Sequence, residues 1–361
     1  MGPRTCAGWL MICALLACNF GCSNDSGAGN PSNAHTAYVT LPQGNSVAAF
    51  QVKQGALQAV VGAPFQAGPS PVSIVAHPSG KFVYVANAGE NDISLFDVDS
   101  STRELKEVMP RIPAGASPNA LAIDSTGSFL FAANRLSNDI SVYSINSGDG
   151  TLQESSQSPV PTGLAPLSLL LTPSGKYLYV ASGNLGEVFG YTVNNGSLQP
   201  ISTSPFPAGG NPFGLAVDPG EHFVYATNFS EKTVTGLSIN PSTGSLSIIP
   251  GFPVAVGTTP VAALVHPSGK YLYVVNLGSS NVSAFTLDDT GLATALTTGA
   301  TASVGTEPVF IVSNNSGGTI YVGNQGSKSI SQLTVDTSTG QLTTAATTNL
   351  NSAPSSMVLL N

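Results

Sequence analysis

The sequence predicts an all-β protein built from seven copies of one unit, and three observations support this. The stretch "HPSGKFVYVAN", which ends at Asn87, returns as "HPSGKYLYVVN", which ends at Asn276. The aromatic residue of this pattern recurs every 46 to 48 residues, at Tyr38, Tyr84, Phe131, Tyr179, Tyr225, Tyr273 and Tyr321. A proline that opens an apolar run also recurs, at Pro71, Pro118, Pro166, Pro212, Pro260, Pro308 and Pro354. Such repeats define the architecture before any single motif is considered.

Each repeat predicts four short strands. The first is an apolar run such as "PVAALV" (260–265), which ends in the turn "HPSG", where proline and glycine supply the backbone angles of a tight turn. The second is "KYLYVVN", and the third, "NVSAFTL", alternates apolar and polar residues as a half-buried strand does. The fourth is weaker and follows "TG", as in "STGSLSII" (242–249). No helical period is present from residue 35 onward.

A unit of this length with four strands matches a propeller blade. We therefore predict a seven-bladed β-propeller of four-stranded antiparallel blades over residues 35–361. The repeat series begins on a second strand and ends on a first strand, "PSSMVLLN" (354–361). Residues 354–361 are expected to pair with residues 36–41, which closes the ring and removes an open sheet edge. The alternative is an open arc of seven blades with frayed ends.

Composition argues against nucleic acid as a partner. Only 8% of the 361 residues are charged, and the net charge is −8. Such a surface repels nucleic acids and anionic membranes. The four cysteines all lie within the first 22 residues, so neither disulfides nor thiol chemistry are expected in the propeller.

The N-terminus is typical of an export signal. "MGPR" is cationic, and the thirteen-residue apolar run "TCAGWLMICALLA" is too short to span a bilayer. "LLAC" resembles a bacterial lipoprotein box, which implies a signal peptide over 1–17, a lipid on Cys18 and a flexible tether over 18–34. The predicted location is a membrane-anchored lipoprotein facing the periplasm or the cell surface. Lipidation of Cys22 and an ordinary cleaved signal without lipid are the alternatives.

The strand endings "YVAN" (84–87), "FAAN" (131–134), "YATN" (225–228), "YVVN" (273–276) and "YVGN" (321–324) resemble the YVTN type of propeller repeat. Together with "HPSGKYLYV" they also resemble the seven-bladed lactonase family, which includes 6-phosphogluconolactonases and a carboxymuconate lactonising enzyme. The resemblance covers residues 35–361. It implies the same fold and, as an expected activity, the opening of a lactone.

The catalytic residues that the resemblance implies are not found at their positions. The family carries a proline-arginine-histidine step into one first strand, and here Val261 and Ala262 follow the proline. It carries an acid after the next asparagine, where this chain has Leu277. A further family histidine follows the proline of an earlier blade, where this chain has Leu167.

The loops before each first strand and those between second and third strands share one face of a propeller. On this face, the predicted ligand-binding residues are the strand-end asparagines and nearby charges, namely Asn87, Glu90, Asn134, Arg135, Asn228, Asn276 and Asn324. Arg135 is the only arginine expected there. A structural role, in which each asparagine side chain bonds its own loop, is the alternative. His35, His77, His222 and His266 fall at the opposite face as turn residues, so no metal or cofactor is expected.

Two functions from different classes follow. The first is a monomeric, non-catalytic binding module that holds a protein, glycan or small molecule through its acidic, asparagine-rimmed face and does not accelerate lactone hydrolysis. The alternative is a lactonase-family hydrolase, in which Arg135 holds a carboxylate and Glu187 or Glu307 activates water. The missing histidine and arginine favour the first.

Overall fold

The computed structural model describes residues 35–53 and 56–360, which form a closed ring of seven antiparallel β-sheets. The predicted seven-bladed propeller is therefore confirmed. We number the blades along the chain, starting with the blade that holds both ends. The predicted signal peptide, the lipidation site and residues 18–34 of the tether lie outside the described residues.

In the first three blades, the strands follow one another in order from the channel outward. Blade 1 contains β33 (Ser356–Leu360), β1 (Thr36–Leu41), β2 (Ser46–Lys53), β3 (Ala56–Ala59) and β4 (Phe65–Gln66). Blade 2 contains β5 (Pro71–Ala76), β6 (Phe82–Asn87), β7 (Asp92–Val98) and β8 (Leu105–Pro113). Blade 3 contains β9 (Pro118–Ile123), β10 (Phe129–Asn134), β11 (Asp139–Ile145), β12 (Leu152–Glu154) and β13 (Val160–Pro161).

The remaining blades repeat this arrangement. Blade 4 contains β14 (Pro166–Leu171), β15 (Tyr177–Ser182), β16 (Glu187–Asn194), β17 (Ser197–Pro200) and β18 (Phe206–Pro207). Blade 5 contains β19 (Pro212–Val217), β20 (Phe223–Asn228), β21 (Thr233–Ile239), β22 (Leu246–Ile248) and β23 (Val254–Ala255). Blade 6 contains β24 (Pro260–Val265), β25 (Tyr271–Asn276), β26 (Asn281–Leu287), β27 (Ala293–Ala295) and β28 (Thr301–Ser303). Blade 7 contains β29 (Pro308–Ser313), β30 (Thr319–Asn324), β31 (Ser329–Val335) and β32 (Leu342–Asn349).

In five blades the outermost strand is divided into two short segments that both pair with the third strand, which the sequence did not reveal. A 3-10 turn, Pro42–Gly44, follows β1. Within the described ranges, no helix has the length and apolar character needed to cross a membrane.

The ring closes as predicted, so the open arc is wrong. β33 pairs with β1 in an antiparallel ladder from Thr36↔Leu360 to Thr40↔Ser356. The hydroxyl groups of Thr40 and Ser355 also form a hydrogen bond of 2.8 Å. The two ends of the described chain therefore form the inner half of one blade.

The recurring tyrosine has a role between blades. In five blades its hydroxyl donates to a backbone carbonyl in the outer turn of the next blade, about 65 residues further along. Tyr84 to Gly150 O and Tyr179 to Gly244 O are both 2.7 Å. Burial raises the pKa of both tyrosines, which therefore remain protonated donors. The aromatic marker of the repeat is thus a clasp between neighbouring blades.

Two histidines form a second clasp at the opposite face. His77 Nδ1 accepts from the backbone N–H of Ser79 at 3.1 Å, so Nε2 carries the proton and donates to Gly127 O of blade 3 at 3.0 Å. His266 repeats this with Ser268 N–H at 3.1 Å and Gly317 O of blade 7 at 3.2 Å. The hydroxyl groups of Ser79 and Ser268 also lie 2.7 and 2.8 Å from the two Nδ1 atoms. Each histidine ring therefore joins its own turn to the next blade.

This arrangement predicts a pH dependence of stability. Burial is the main cause that lowers the pKa of His77 and His266 below their ordinary value of 6.5. Below pH 6.5 the unfolded chain therefore binds more protons than the folded chain, so the free energy of unfolding falls as the pH falls from 7 to 5. Urea unfolding at both pH values should show this fall. In a His77→Asn/His266→Asn variant, which copies Asn314 of blade 7, the fall should be smaller.

The control for this experiment is His222→Asn, because the His222 side chain is 70% exposed and forms no clasp to the next blade among the described residues. It should keep the wild-type pH dependence. An equal fall in the double variant would show that other groups cause the effect.

Candidate functional site

The channel ends, on the loop face, in a mouth that two sets of residues line. The inner set follows the proline of each first strand and comprises Val72, Asn119, Leu167, Phe213, Val261, Val309 and Ser355. The outer set follows the end of each second strand in blades 2 to 7 and comprises Ala88, Arg135, Gly183, Phe229, Leu277 and Gln325. We call these thirteen residues the mouth.

Backbone hydrogen bonds hold the outer set in place. In each of these six blades, the N–H of the outer residue donates to the carbonyl of the residue before the proline, at 2.8 to 3.4 Å. That carbonyl residue has a positive φ of 50° to 56°, although none of the six is glycine. The two sets therefore meet within each blade. Phe213 and Phe229 stack with centroids 5.6 Å apart. Leu167 Cδ1 occupies the space that a Cβ at Gly183 would need.

The mouth has one polar and one apolar sector. Blade 3 contributes Asn119, whose amide donates to Leu167 O at 2.9 Å, and the part-exposed Arg135. Blades 4 to 6 contribute apolar side chains, Leu167, Phe213, Val261, Phe229 and Leu277, which belong to one hydrophobic cluster. Leu167 and Phe213 are each only 9% exposed. The channel is therefore closed by apolar packing on this side.

The positions where the family resemblance implied charge are in or beside this apolar sector. Leu167, Val261 and Leu277 are mouth residues, and Ala262 is 2% exposed in the adjoining core. A charge at Val261 or Ala262 would be buried without solvent and would need a partner. Apolar packing therefore occupies the positions where the family resemblance implied the histidine and arginine.

The strand-end asparagines do not form a rim. Asn87, Asn134, Asn228, Asn276 and Asn324 are all fully buried. The Nδ2 group of Asn87 donates to Asp92 Oδ1 at 2.7 Å and to Ser94 Oγ at 2.9 Å, and the other four repeat this pattern on the third strand of their blades. The predicted ligand contacts therefore need correction, because these amides are enclosed. They join second to third strands instead of bonding their own loops.

Glu90 forms an ion pair with an arginine that was not predicted from the sequence. Arg111, on the outermost strand of blade 2, donates from Nη1 to Glu90 at 3.0 Å and from Nε to Glu107 at 2.7 Å. Burial is the main cause that raises the pKa of nearby Asp92, and Arg111 opposes it. Arg135 is therefore not the only arginine at this face. Glu90 belongs to an ion-pair network on the outer part of its blade.

The three weak catalytic candidates come from three blades. Arg135 lies in blade 3, Glu187 begins β16 of blade 4, and Glu307 is exposed before β29 of blade 7. Among the described residues, no hydrogen bond or ion pair joins any two of them. The ring order places Glu187 on the blade next to Arg135 and Glu307 farther around the ring.

The described part of the chain has no preformed cluster of metal-binding side chains. Over 35–53 and 56–360, no group of three or more His, Cys, Asp or Glu side chains could hold a metal ion. A cleft of about 250 Å³ lies at the opposite face, lined in part by Asp218, His222 and Asp288. Asp218 and Asp288 accept backbone N–H groups of their own turns, so they cap turns.

Comparison with known proteins establishes the class. The model of the family described as lactonase, seven-bladed β-propeller, matches residues 29–167 and 165–359. The chain therefore belongs to the lactonase family of seven-bladed β-propellers, as the strand endings indicated. A search of curated proteins gave no match.

Solved structures show the same fold at low identity. A putative 6-phosphogluconolactonase from Bacteroides fragilis is similar with a TM-score of 0.80 and 21% identity, over 93% of this chain and 100% of that one. A second, from Bacteroides uniformis, has a TM-score of 0.78 and 19% identity, over 91% and 100%. The periplasmic gluconolactonase of Pseudomonas aeruginosa has a TM-score of 0.75 and 19% identity, over 91% and 99%.

Proposed function

We propose that the protein is a lactonase-family hydrolase that opens a lactone at the mouth. Membership of the family favours this alternative over the binding module as the class of function. The observation that carries the proposal is the state of Arg135. It is part-exposed at the mouth and forms no ion pair with any described residue, whereas Arg111 is held by two carboxylates.

The proposed chemistry uses this guanidinium as the oxyanion partner. Water attacks the lactone carbonyl carbon, and negative charge develops on the carbonyl oxygen, where the Arg135 guanidinium would stabilise it. The ring C–O bond then breaks, and the alkoxide takes the proton that the general base removed from the water. The new carboxylic acid releases its proton to solvent and remains on Arg135 as a carboxylate. A carboxylate must accept the proton of the attacking water. Glu187 on the adjacent blade is the first candidate and Glu307 is the second.

The binding module remains the second candidate, because a specific observation favours it. Leu167, Val261 and Leu277 give the mouth an apolar lining where the family implies charged catalytic groups. Such a mouth can bind a small molecule without reacting with it. Binding without turnover is the result that would distinguish this candidate from the hydrolase.

Arg135→Ala tests the hydrolase. We expect the purified protein to hydrolyse unphosphorylated δ-lactones above the buffer rate, measured by pH-stat titration of the acid released. Removal of one oxyanion donor should lower kcat about 100-fold. Glu187→Gln and Glu307→Gln, assayed alongside, should identify the base by a comparable loss in one of them.

The matched control is Lys176→Ala, which removes one positive charge from an exposed position at the opposite face. It should keep the wild-type rate. A rate at the buffer level in the wild-type protein, with δ-lactone still bound, would replace the hydrolase by the binding module. Equal losses in Arg135→Ala and Lys176→Ala would show that overall charge, not the mouth, sets the rate.

We also propose that the propeller is exported and held at a membrane by a lipid on Cys18. The basis is the "LLAC" sequence and the Gly/Ser/Asn-rich segment that follows it. Metabolic labelling with a clickable palmitate should mark the wild-type protein and fail to mark Cys18→Ala. Labelling that persists in Cys18→Ala and disappears in Cys22→Ala would assign the lipid to Cys22.

A further inference from the structure

Three exposed leucines lie on the loop face, in neighbouring loops of blades 3 and 4. Leu136, Leu164 and Leu185 are 72%, 49% and 45% exposed, and they are half of the six large apolar side chains that are exposed within the described residues. Leu136 and Leu185 belong to the loops between second and third strands of blades 3 and 4. Leu164 belongs to the loop that joins these blades. We call the three residues the leucine patch.

Hydrogen bonds connect the loops that carry the patch. Leu136 follows Arg135 in the loop that ends with Asn138. Asn138 accepts from two N–H groups of the next loop, Thr162 N to its O at 3.0 Å and Ala165 N to its Oδ1 at 2.8 Å. Ser182 Oγ then donates to Leu164 O at 2.7 Å, and Leu185 N donates to Ser182 O. These contacts tie the three loops that carry the leucine patch to one another across blades 3 and 4.

The leucine patch adjoins both sectors of the mouth. Arg135 precedes Leu136 directly, and Leu167, the first residue of the apolar sector, lies three residues after Leu164. A cationic polar sector thus borders an apolar surface that is buried at the mouth and becomes exposed outward. This pattern fits an amphiphile, with its oxygens at the part-exposed Arg135 and a hydrocarbon group on the leucine patch.

The charges at this face argue against a phosphorylated ligand. Arg135 is the only cation among the thirteen mouth residues. Lys232 and Lys328 are exposed on loops of blades 5 and 7, not on blades 3 and 4. A phosphate monoester carries close to two negative charges at pH 7, and the chain has a net charge of −8. A lactone without phosphate avoids this repulsion.

We propose that the substrate class is a lactone with a hydrocarbon substituent and no phosphate, whose alkyl chain lies on the leucine patch. This inference rests on the proposed function for the location of the ring. The inference assigns a small molecule as the ligand of the leucine patch. A protein partner or a lipid surface at the same leucines is an outcome that the binding experiment would reveal.

The test measures binding, by isothermal titration calorimetry, of δ-valerolactone, δ-octalactone, δ-decalactone and 6-phosphogluconolactone to the purified protein. Affinity should rise about two- to fourfold for each added methylene that is buried. 6-Phosphogluconolactone should bind more weakly than δ-valerolactone. In Leu164→Ser/Leu185→Ser, the dependence of affinity on chain length should largely disappear.

The matched control is Ile248→Ser, which changes a 47% exposed side chain on the outer part of blade 5 and should keep the wild-type dependence. Affinity that does not change with chain length, or a dependence that survives in the double leucine variant, would overturn the inference. In the latter case, a leucine-dependent loss of vesicle or protein binding would assign the surface to a macromolecule.

The dependence of affinity on chain length and the rate of hydrolysis are separate readouts, so the two proposals can fail separately. Chain-length-dependent binding without hydrolysis would support the ligand class and overturn the hydrolase. Hydrolysis of short lactones without any chain-length dependence in binding would support the hydrolase and overturn the ligand class.

Discussion

A chain that ends at Ala353 is expected to aggregate or to melt far below the wild-type protein. The truncation removes β33, whose Met357, Val358 and Leu360 are at most 5% exposed. Burial of three such side chains contributes about 5 to 9 kcal/mol, which is comparable with the whole stability of many domains. The truncation also leaves the inner edge of β1 without its partner.

Gel filtration and thermal unfolding followed by circular dichroism would measure this effect. A peptide of residues 354–361 added in trans should raise the melting temperature of the truncated chain, because it restores the ladder with β1. A scrambled peptide of the same composition is the control. An unchanged melting curve after truncation would show that the ring does not depend on this strand.

Gly214→Ala is expected to lower the free energy of unfolding by about 3 kcal/mol, a large loss for the addition of one methyl group. A Cβ at this position would lie 2.5 Å from Val261 O and 2.9 Å from Ala262 Cα. Both atoms belong to the backbone of β24 in the next blade, so no side-chain rotation can relieve the contact. Two innermost strands would have to separate.

Urea unfolding would measure this loss, with Gly318→Ala as the control. The nearest atom to a Cβ at Gly318 is Ser316 Oγ at 3.5 Å, which is an ordinary contact. The control should therefore change stability by no more than about 0.5 kcal/mol. Equal stability of the two variants would show that blades 5 and 6 can move apart at little cost.

The fold could be predicted from the sequence because the repeated residues have the same structural role in successive blades. The tyrosine marker joins each of five blades to the next, and the proline marker opens each innermost strand. The offset between the two ends also predicted ring closure, since β33 supplies the first strand that blade 1 lacks. The divided outer strands were missed because their segments are only two to four residues long.

The site was predicted less well because sequence position does not give the direction of a side chain. Asn87 was placed on a rim, but its amide turns into the blade toward Asp92 and Ser94. The signal was present, because polar residues occur five and seven positions after each of these asparagines. Arg111 was missed because only loop residues were counted, and its side chain reaches Glu90 from an outer strand.

The mouth itself depended on contacts that no single stretch reveals. Family resemblance pointed to Leu167, Val261 and Leu277, but not to the stack of Phe213 on Phe229. These two residues are sixteen positions apart, and their contact requires the pairing of β19 with β20. The apolar sector therefore became recognisable only when the strands were in register.

The most direct measurement of the central proposal is a crystal structure of the protein soaked with 5-hydroxydecanoate, the hydroxy acid that opening of δ-decalactone would release. We predict that its carboxylate binds the Arg135 guanidinium, with the alkyl chain on Leu164 and Leu185. The Arg135→Ala protein, soaked in the same way, should show no ligand at the mouth. Density in the cleft beside Asp218 at the opposite face, with the mouth empty, would contradict the proposal.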